Sequence, residues 1–84
     1  MNNLPCTPII TLRQLGSLIR GVRKQRQLTQ RDMAQKLGIS QAAVSLMETA
    51  PSRVSLDRLF HVLAELDLEM VIHPKQSAPA GTDW

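Results

Sequence analysis

Two short helical patterns joined by a single glycine occupy residues 29–48, and this segment restricts the fold more than any other part of the chain. Thr29 followed by Asp32 is a capping-box pattern, which begins a helix. Gly38 ends that helix, because glycine adopts the left-handed backbone conformation without steric cost. Ser40 is an N-cap residue for the next helix. The spacing predicts two short helices in a helix-turn-helix arrangement.

Apolar residues in the same segment are placed to bury one side of each short helix. Ala34 supplies the small residue that two closely crossing helices require. The positions that would face the remaining helices are Met33, Leu37, Ile39, Val44 and Met47. As a set, these residues meet the requirements of a DNA-reading helix-turn-helix. The alternative is an ordinary helical bundle that never contacts DNA, since each residue alone is a weak signal.

Two further helices flank this unit. The first is predicted to begin at Thr11, which forms a capping box with Gln14, and to end near Gln27. The last is predicted to begin after Ser55. Their apolar stripes are Leu12, Leu15, Ile19 and Val22 in the first helix and Leu56, Leu59, Phe60, Leu63 and Leu66 in the last. We therefore expect an all-α fold, a compact domain of four to five helices.

The two ends of the chain lack a helical pattern. We expect residues 1–10 to form an irregular arm, residues 11–67 to form the helix-turn-helix domain and residues 74–84 to be a flexible polar tail. Residues 68–73 alternate between two sides, which predicts a short strand. One side of this strand consists of Leu68, Met70 and Ile72.

The predicted strand has no partner strand elsewhere in the chain. Its backbone groups would stay unpaired, and pairing with the same strand of a second copy is the simplest remedy. A chain of 84 residues also buries a limited core, which favours association. We expect a two-fold homodimer joined by residues 68–73, with a fifth helix or an unpaired extended tail as alternatives.

Positive charge is concentrated in the first half of the chain. Residues 1–40 hold seven Lys or Arg and one Asp, whereas residues 41–84 hold three Lys or Arg and six Asp or Glu. The basic half favours binding to a polyanion such as nucleic acid. The alternative is a protein-interaction adaptor whose basic first helix is incidental. Duplex binding that weakens strongly with salt would separate the two.

Several functional classes are disfavoured. Cys6 is the single cysteine, so the chain forms no internal disulfide and no cysteine-based zinc cluster. No apolar run approaches the roughly 18 residues of a membrane span. His61 and His73 stand without a nucleophile, a carboxylate pair or a glycine-rich loop nearby. We expect a cytoplasmic protein with no membrane association, catalytic activity, cofactor or metal.

The exposed side of the second short helix would supply the base contacts. The candidate residues are Ser40, Gln41, Ala42 and Ser45. Gln41 is the strongest, because its amide matches the N6 and N7 edge of adenine. Ala42 fits a thymine methyl group, and the two serines fit a base or a phosphate. One long polar side chain per helix implies modest specificity, so we expect a palindromic operator with two half-sites.

Three residues are candidates for phosphate contacts. Gln30 and Arg31 begin the first short helix, where free amides and the helix dipole favour an anion. Arg53 lies in the loop that follows the second short helix. The alternative for each residue is a solvated side chain without a partner.

The chain resembles the phage-repressor-like, or Xre-type, helix-turn-helix family. The resemblance covers roughly residues 12–66 and is carried by Leu-Thr-Gln at 28–30, Ala34, Leu-Gly-Ile at 37–39 and Val-Ser-x-x-Glu at 44–48. It implies an ion pair that fixes the helix packing, with Arg23 and Glu48 at the matching positions. Two ordinary solvated charges are the alternative. Leu46 departs from the polar residue often found at its position.

A closer resemblance is to the HipB-type antitoxins. It is carried by Gly-Ile-x-Gln-Ala at 38–42, Leu-x-Met at 68–70 and an acidic residue followed by Trp at 83–84. The resemblance implies an autoregulating repressor that binds and neutralises a HipA-type serine/threonine kinase toxin. It also implies that the tail docks on the kinase through Trp84. The alternative within DNA binding is a free-standing phage or chromosomal repressor without a toxin.

Overall fold

The computed structural model describes residues 7–75, which form four α-helices around one core. The helices are α1 (Leu12–Gln25), α2 (Gln30–Leu37), α3 (Gln41–Thr49) and α4 (Leu56–Glu65), with a 3₁₀ turn at Pro51–Arg53 between α3 and α4. The predicted all-α class is confirmed, and α2 and α3 are the helix-turn-helix. None of the helices in the described part is long and apolar enough to cross a membrane.

Each helix begins where the sequence predicts. The side-chain oxygens of Thr11, Thr29, Ser40 and Ser55 accept the amide of the residue three positions later. Both predicted capping boxes are complete, and Gly38 ends α2 with a left-handed φ of 71°. Helix α1 ends at Gln25, slightly before the predicted Gln27, because Gln27 has a φ of 60°. The helix boundaries are therefore set by hydrogen bonds that close within a few residues.

The core lies where α3 packs between α1 and α2, with α4 against α2. Its buried apolar residues are Leu15, Ile19, Val22, Met33, Ala34, Leu37, Val44, Met47, Leu59, Val62, Leu63 and Leu66. The predicted inward positions of both short helices are among them, and Ile39 packs against the core at its edge. The core of the described residues contains no aromatic side chain.

Three residues assigned to apolar stripes are exposed instead. Leu56 and Phe60 are 60% and 46% exposed. These two residues are four apart and lie on the same side of α4, whereas the core covers the side of the helix that contains Val62. Leu12 is 45% exposed at the first position of α1, where the described residues before it are exposed and do not cover it. The predicted stripes were too wide, and the stripe predicted for α4 also omitted the buried Val62.

The segment after α4 is extended. Asp67, with a φ of 61°, donates its amide to the Ala64 carbonyl, and the Leu68 amide donates to the Leu63 carbonyl at 2.8 Å. Residues 68–75 form neither a helix nor a strand ladder within the described chain, so the alternative of a fifth helix is wrong. Pairing of residues 68–73 with a second copy stays a prediction. The start of the predicted arm and Trp84 lie outside the described residues.

Candidate nucleic-acid interface

Helix α3 is buried on one side and open on the other. Val44, Met47 and Glu48 face inward, whereas Gln41 and Ala42 at its start are exposed. The contacts of the inward side fix the position of α3 in the domain, and its first turn remains accessible to solvent. Gln41 and Ala42 therefore lie where the sequence analysis places base contacts.

The two candidate serines differ in their exposure and in the hydrogen bonds that they already form. Ser40 is exposed, and its hydroxyl oxygen already accepts the Ala43 amide at 3.1 Å. Its hydroxyl proton is still available to a phosphate or a base acceptor. Ser45 is half-buried, and its backbone carbonyl accepts the Thr49 hydroxyl at 2.9 Å. Ser40 is thus both a helix cap and a potential donor to DNA.

The start of α2 offers two backbone amides to an anion. The Thr29 amide donates to the Asp32 carboxylate at 2.9 Å, and the Asp32 amide donates to the Thr29 hydroxyl. The bond from the Thr29 amide, with that from its hydroxyl, lowers the pKa of Asp32. The amides of Gln30 and Arg31 remain for solvent or a phosphate, and the Arg31 side chain is exposed beside them.

The Gln30 side chain is turned toward the protein. Its Nε2 donates to Glu48 Oε1 at 3.2 Å, and the residue is half-buried. Gln30 was predicted to bind a phosphate, and its bond to Glu48 was not predicted because the two residues are distant in sequence. Gln30 therefore ties the start of α2 to the end of α3, whatever its backbone contributes to DNA.

Arg23 and Glu48, the pair implied by the family resemblance, lie together in the interior. Arg23 Nε is 2.6 Å from Glu48 Oε2 and Nη2 is 3.2 Å from Oε1, so the guanidinium binds the carboxylate with two bonds. Nη1 donates to the Leu28 carbonyl at 2.7 Å. The side chains are 7% and 1% exposed. This buried cluster joins α1, the loop before α2 and the end of α3.

A shallow groove runs beside the outward side of α3. It is lined by Ala43, Leu46, Arg53, Val54, Ser55 and Arg58. Arg53 is one of the predicted candidates for a phosphate contact, whereas Arg58, which is exposed in the first turn of α4, was not predicted from the sequence. Ser55 could have indicated the position of Arg58 from the sequence. As an N-cap residue, it begins a helix a few residues after α3, and Arg58 lies in the first turn of that helix. Two arginine residues thus line the groove beside the outward side of α3.

The described surface offers little to a metal. Residues 7–75 contain no group of three His, Cys, Asp or Glu side chains able to hold an ion. His61 and His73 are both exposed, and His73 Nδ1 lies 2.7 Å from the Pro74 carbonyl oxygen.

A short helix, a tight glycine turn, a second helix with an exposed start and flanking arginines define the DNA-binding helix-turn-helix class. A family model described as a helix-turn-helix domain matches residues 11–75. Antitoxin HipB of Escherichia coli strain K12 is 35% identical over 71 residues, which cover 83% of this chain and 81% of that protein. Antitoxin HipB of Escherichia coli O6:H1 is 37% identical over 71 residues, covering 83% and 76%.

Solved structures agree with the sequence comparison. The chain matches a protein in the structure of a HipA-HipB-O2-O3 complex with a TM-score of 0.78 and 32% identity, covering 84% of this chain and all of that one. Identity at this level over about four fifths of the curated relatives means that this chain shares both their fold and their sequence pattern. The chain belongs to the HipB family of helix-turn-helix antitoxins.

Proposed function

We propose that this chain is the antitoxin of a type II toxin–antitoxin module. As a homodimer it binds a palindromic operator, represses its own operon and neutralises a HipA-type serine/threonine kinase toxin. The observation that carries the proposal is a helix-turn-helix with an exposed recognition face, on a chain that matches antitoxin HipB over 83% of its length. Each of these activities is binding, so the function requires no catalytic group and no cofactor.

The DNA contacts follow from the positions of the candidate residues. The start of α3 enters the major groove, where Gln41 pairs with an adenine and Ala42 contacts a thymine methyl group. Ser40 and Ser45 bond a base or a phosphate. Arg31 at the start of α2 and Arg53 in the shallow groove beside α3 bind DNA phosphates on either side of the major groove. Such phosphate contacts position the protein, and the base contacts select the site.

Dimerisation completes the operator-binding unit. Within the described chain only the Leu68 amide of residues 68–73 forms a backbone hydrogen bond, to the Leu63 carbonyl, and Met70 and Ile72 are 44% and 92% exposed. Strand pairing between two copies satisfies this backbone and covers these side chains, whereas Leu68 already packs against the core. Two recognition helices related by a two-fold axis then match the two half-sites of a palindrome.

Replacing Gln41 with alanine tests base reading. We expect Gln41→Ala to lose about 1–3 kcal/mol of binding to the preferred site, because the bidentate bond to adenine is lost. Binding to random duplex should change little, since phosphate contacts are retained. Fluorescence anisotropy with both duplexes at several salt concentrations measures the two affinities. Equal losses on the two duplexes would contradict the role of Gln41, and binding insensitive to salt would favour the adaptor alternative.

Removing the tail tests the link to the toxin. The variants are a chain truncated after residue 75 and a full chain carrying Trp84→Ala, each co-expressed with a HipA-type kinase. We expect both to weaken co-purification of the kinase strongly, because a single aromatic anchor can carry much of the binding energy of a docking segment. Operator binding should be unchanged in both. Undiminished capture by both variants would refute the tail contact, and absence of capture by the intact chain would favour a free-standing repressor.

A further inference from the structure

Leu46 is an apolar side chain on the outward side of the recognition helix. Val44, Met47 and Glu48 form the buried side of α3, and Leu46 lies opposite them in the same row as Ala42, four residues earlier. Leu46 is half-buried, whereas Val44 and Met47 are almost completely covered. It is therefore not part of the core, although it is the bulkiest apolar residue on this side of α3.

The surroundings of Leu46 explain its partial burial. It lines the groove with Val54, and the exposed Arg53 and Arg58 line the same groove. The groove thus covers part of the Leu46 side chain, and the rest is open to solvent. An apolar patch bordered by two guanidinium groups suits a duplex, since the arginines bind phosphates while the patch meets a base edge.

Base edges in the major groove present one apolar group, the C5 methyl of thymine. Residues four apart on a helix are separated by about 6 Å along its axis, which allows Ala42 and Leu46 to reach different base pairs. We propose that Leu46 is a specificity-determining residue that reads thymine through its methyl group. The proposal rests on the operator binding proposed above and adds a base preference that Gln41 does not supply.

The test removes single methyl groups from DNA. A preferred duplex is selected with the intact protein, and each thymine is replaced in turn by deoxyuridine, which lacks only the methyl group. We expect replacement to weaken binding about fourfold, the effect of one buried methyl group, at the thymine that Leu46 reads and at the thymine that Ala42 contacts. With Leu46→Ala one of these two effects should be lost and the other kept, whereas Leu46→Met, which keeps an apolar side chain there, should retain both.

The controls separate a base contact from a change in folding. The melting temperature of each variant and its affinity for random duplex report whether α3 and the phosphate contacts are intact. Equal sensitivity to deoxyuridine in the intact protein and in Leu46→Ala, or no sensitivity at any thymine, would overturn the inference while leaving operator binding in place. Failure of the intact protein to select any duplex would overturn the proposed function itself.

Discussion

Replacing Glu48 with alanine is expected to lower the free energy of unfolding by about 3–5 kcal/mol, because the substitution leaves a buried charge without its partner. The guanidinium of Arg23 is 7% exposed and would retain only its bond to the Leu28 carbonyl. Domains of this size are stabilised by about 5–15 kcal/mol, so a large share of the stability would be lost. Urea unfolding followed by circular dichroism measures the change.

Two comparisons show whether the effect comes from the buried cluster. Glu65→Ala removes an exposed carboxylate from α4 and should shift stability by no more than about 0.5 kcal/mol. Replacing both partners, as Arg23→Met with Glu48→Leu, should recover much of the loss, since no charge is then left buried. If Glu48→Ala unfolds at the same urea concentration as the intact chain, the cluster does not stabilise the packing of α1 on α3.

A second large effect is expected at Gly16, where α1 crosses α3. A Cβ atom at this position would lie 2.6 Å from the Glu48 carbonyl oxygen and 3.2 Å from that of Met47, both of them backbone atoms. Because backbone atoms cannot turn aside as a side chain does, Gly16→Ala should force the helices apart and destabilise the protein by about 1–3 kcal/mol. Thermal unfolding measures the difference.

The same helix supplies a matched control. Gly21 is exposed on α1, and a Cβ atom there would meet nothing within 4 Å. Gly21→Ala should stabilise the protein by about 1 kcal/mol through the higher helix propensity of alanine. The two substitutions make the same chemical change in one helix and should shift the melting temperature in opposite directions. Similar shifts would show that the close approach of α1 and α3 is not maintained in solution.

The substitutions at Glu48 and Gly16 are also expected to affect DNA binding, because both change the position of α3. Arg23, Glu48 and Gly16 do not touch the outward side of the recognition helix, yet they set how closely and at what angle α3 packs on α1. A helix displaced by even a small amount presents Gln41 to a different part of the base edge. We therefore expect site preference to weaken in variants that still fold.

Much of the fold was predictable because its signals are local. The caps at Thr11, Thr29, Ser40 and Ser55 and the left-handed turn at Gly38 depend on hydrogen bonds between residues a few positions apart. The helical period likewise identifies inward residues from spacing alone. These features locate the helix-turn-helix and its exposed first turn without knowledge of the packing. The pairing of Arg23 with Glu48 required more, namely resemblance to a family.

Other features depend on contacts between residues distant in sequence. Gly16 resembles any glycine in a helix until α3 is placed so close that a Cβ atom would lie 2.6 Å from the Glu48 carbonyl oxygen. Gln30 resembles a surface residue until Glu48 is beside it. Phe60 fits an apolar stripe as well as Val62 does, and the side that the core covers decides between them. Arg58 becomes part of the recognition surface only when α4 returns beside α3.

The sequence by itself determined that residues 29–48 form a helix-turn-helix, because caps, glycine turn and apolar spacing act within each helix. Only the tertiary structure decided how that unit packs in the domain and which residues surround the outward side of α3. It turned Gln30 inward to Glu48 and brought Arg58 and Leu46 to one groove. The physical reason is that helix packing brings together side chains and backbone from different helices, and no local pattern records such contacts.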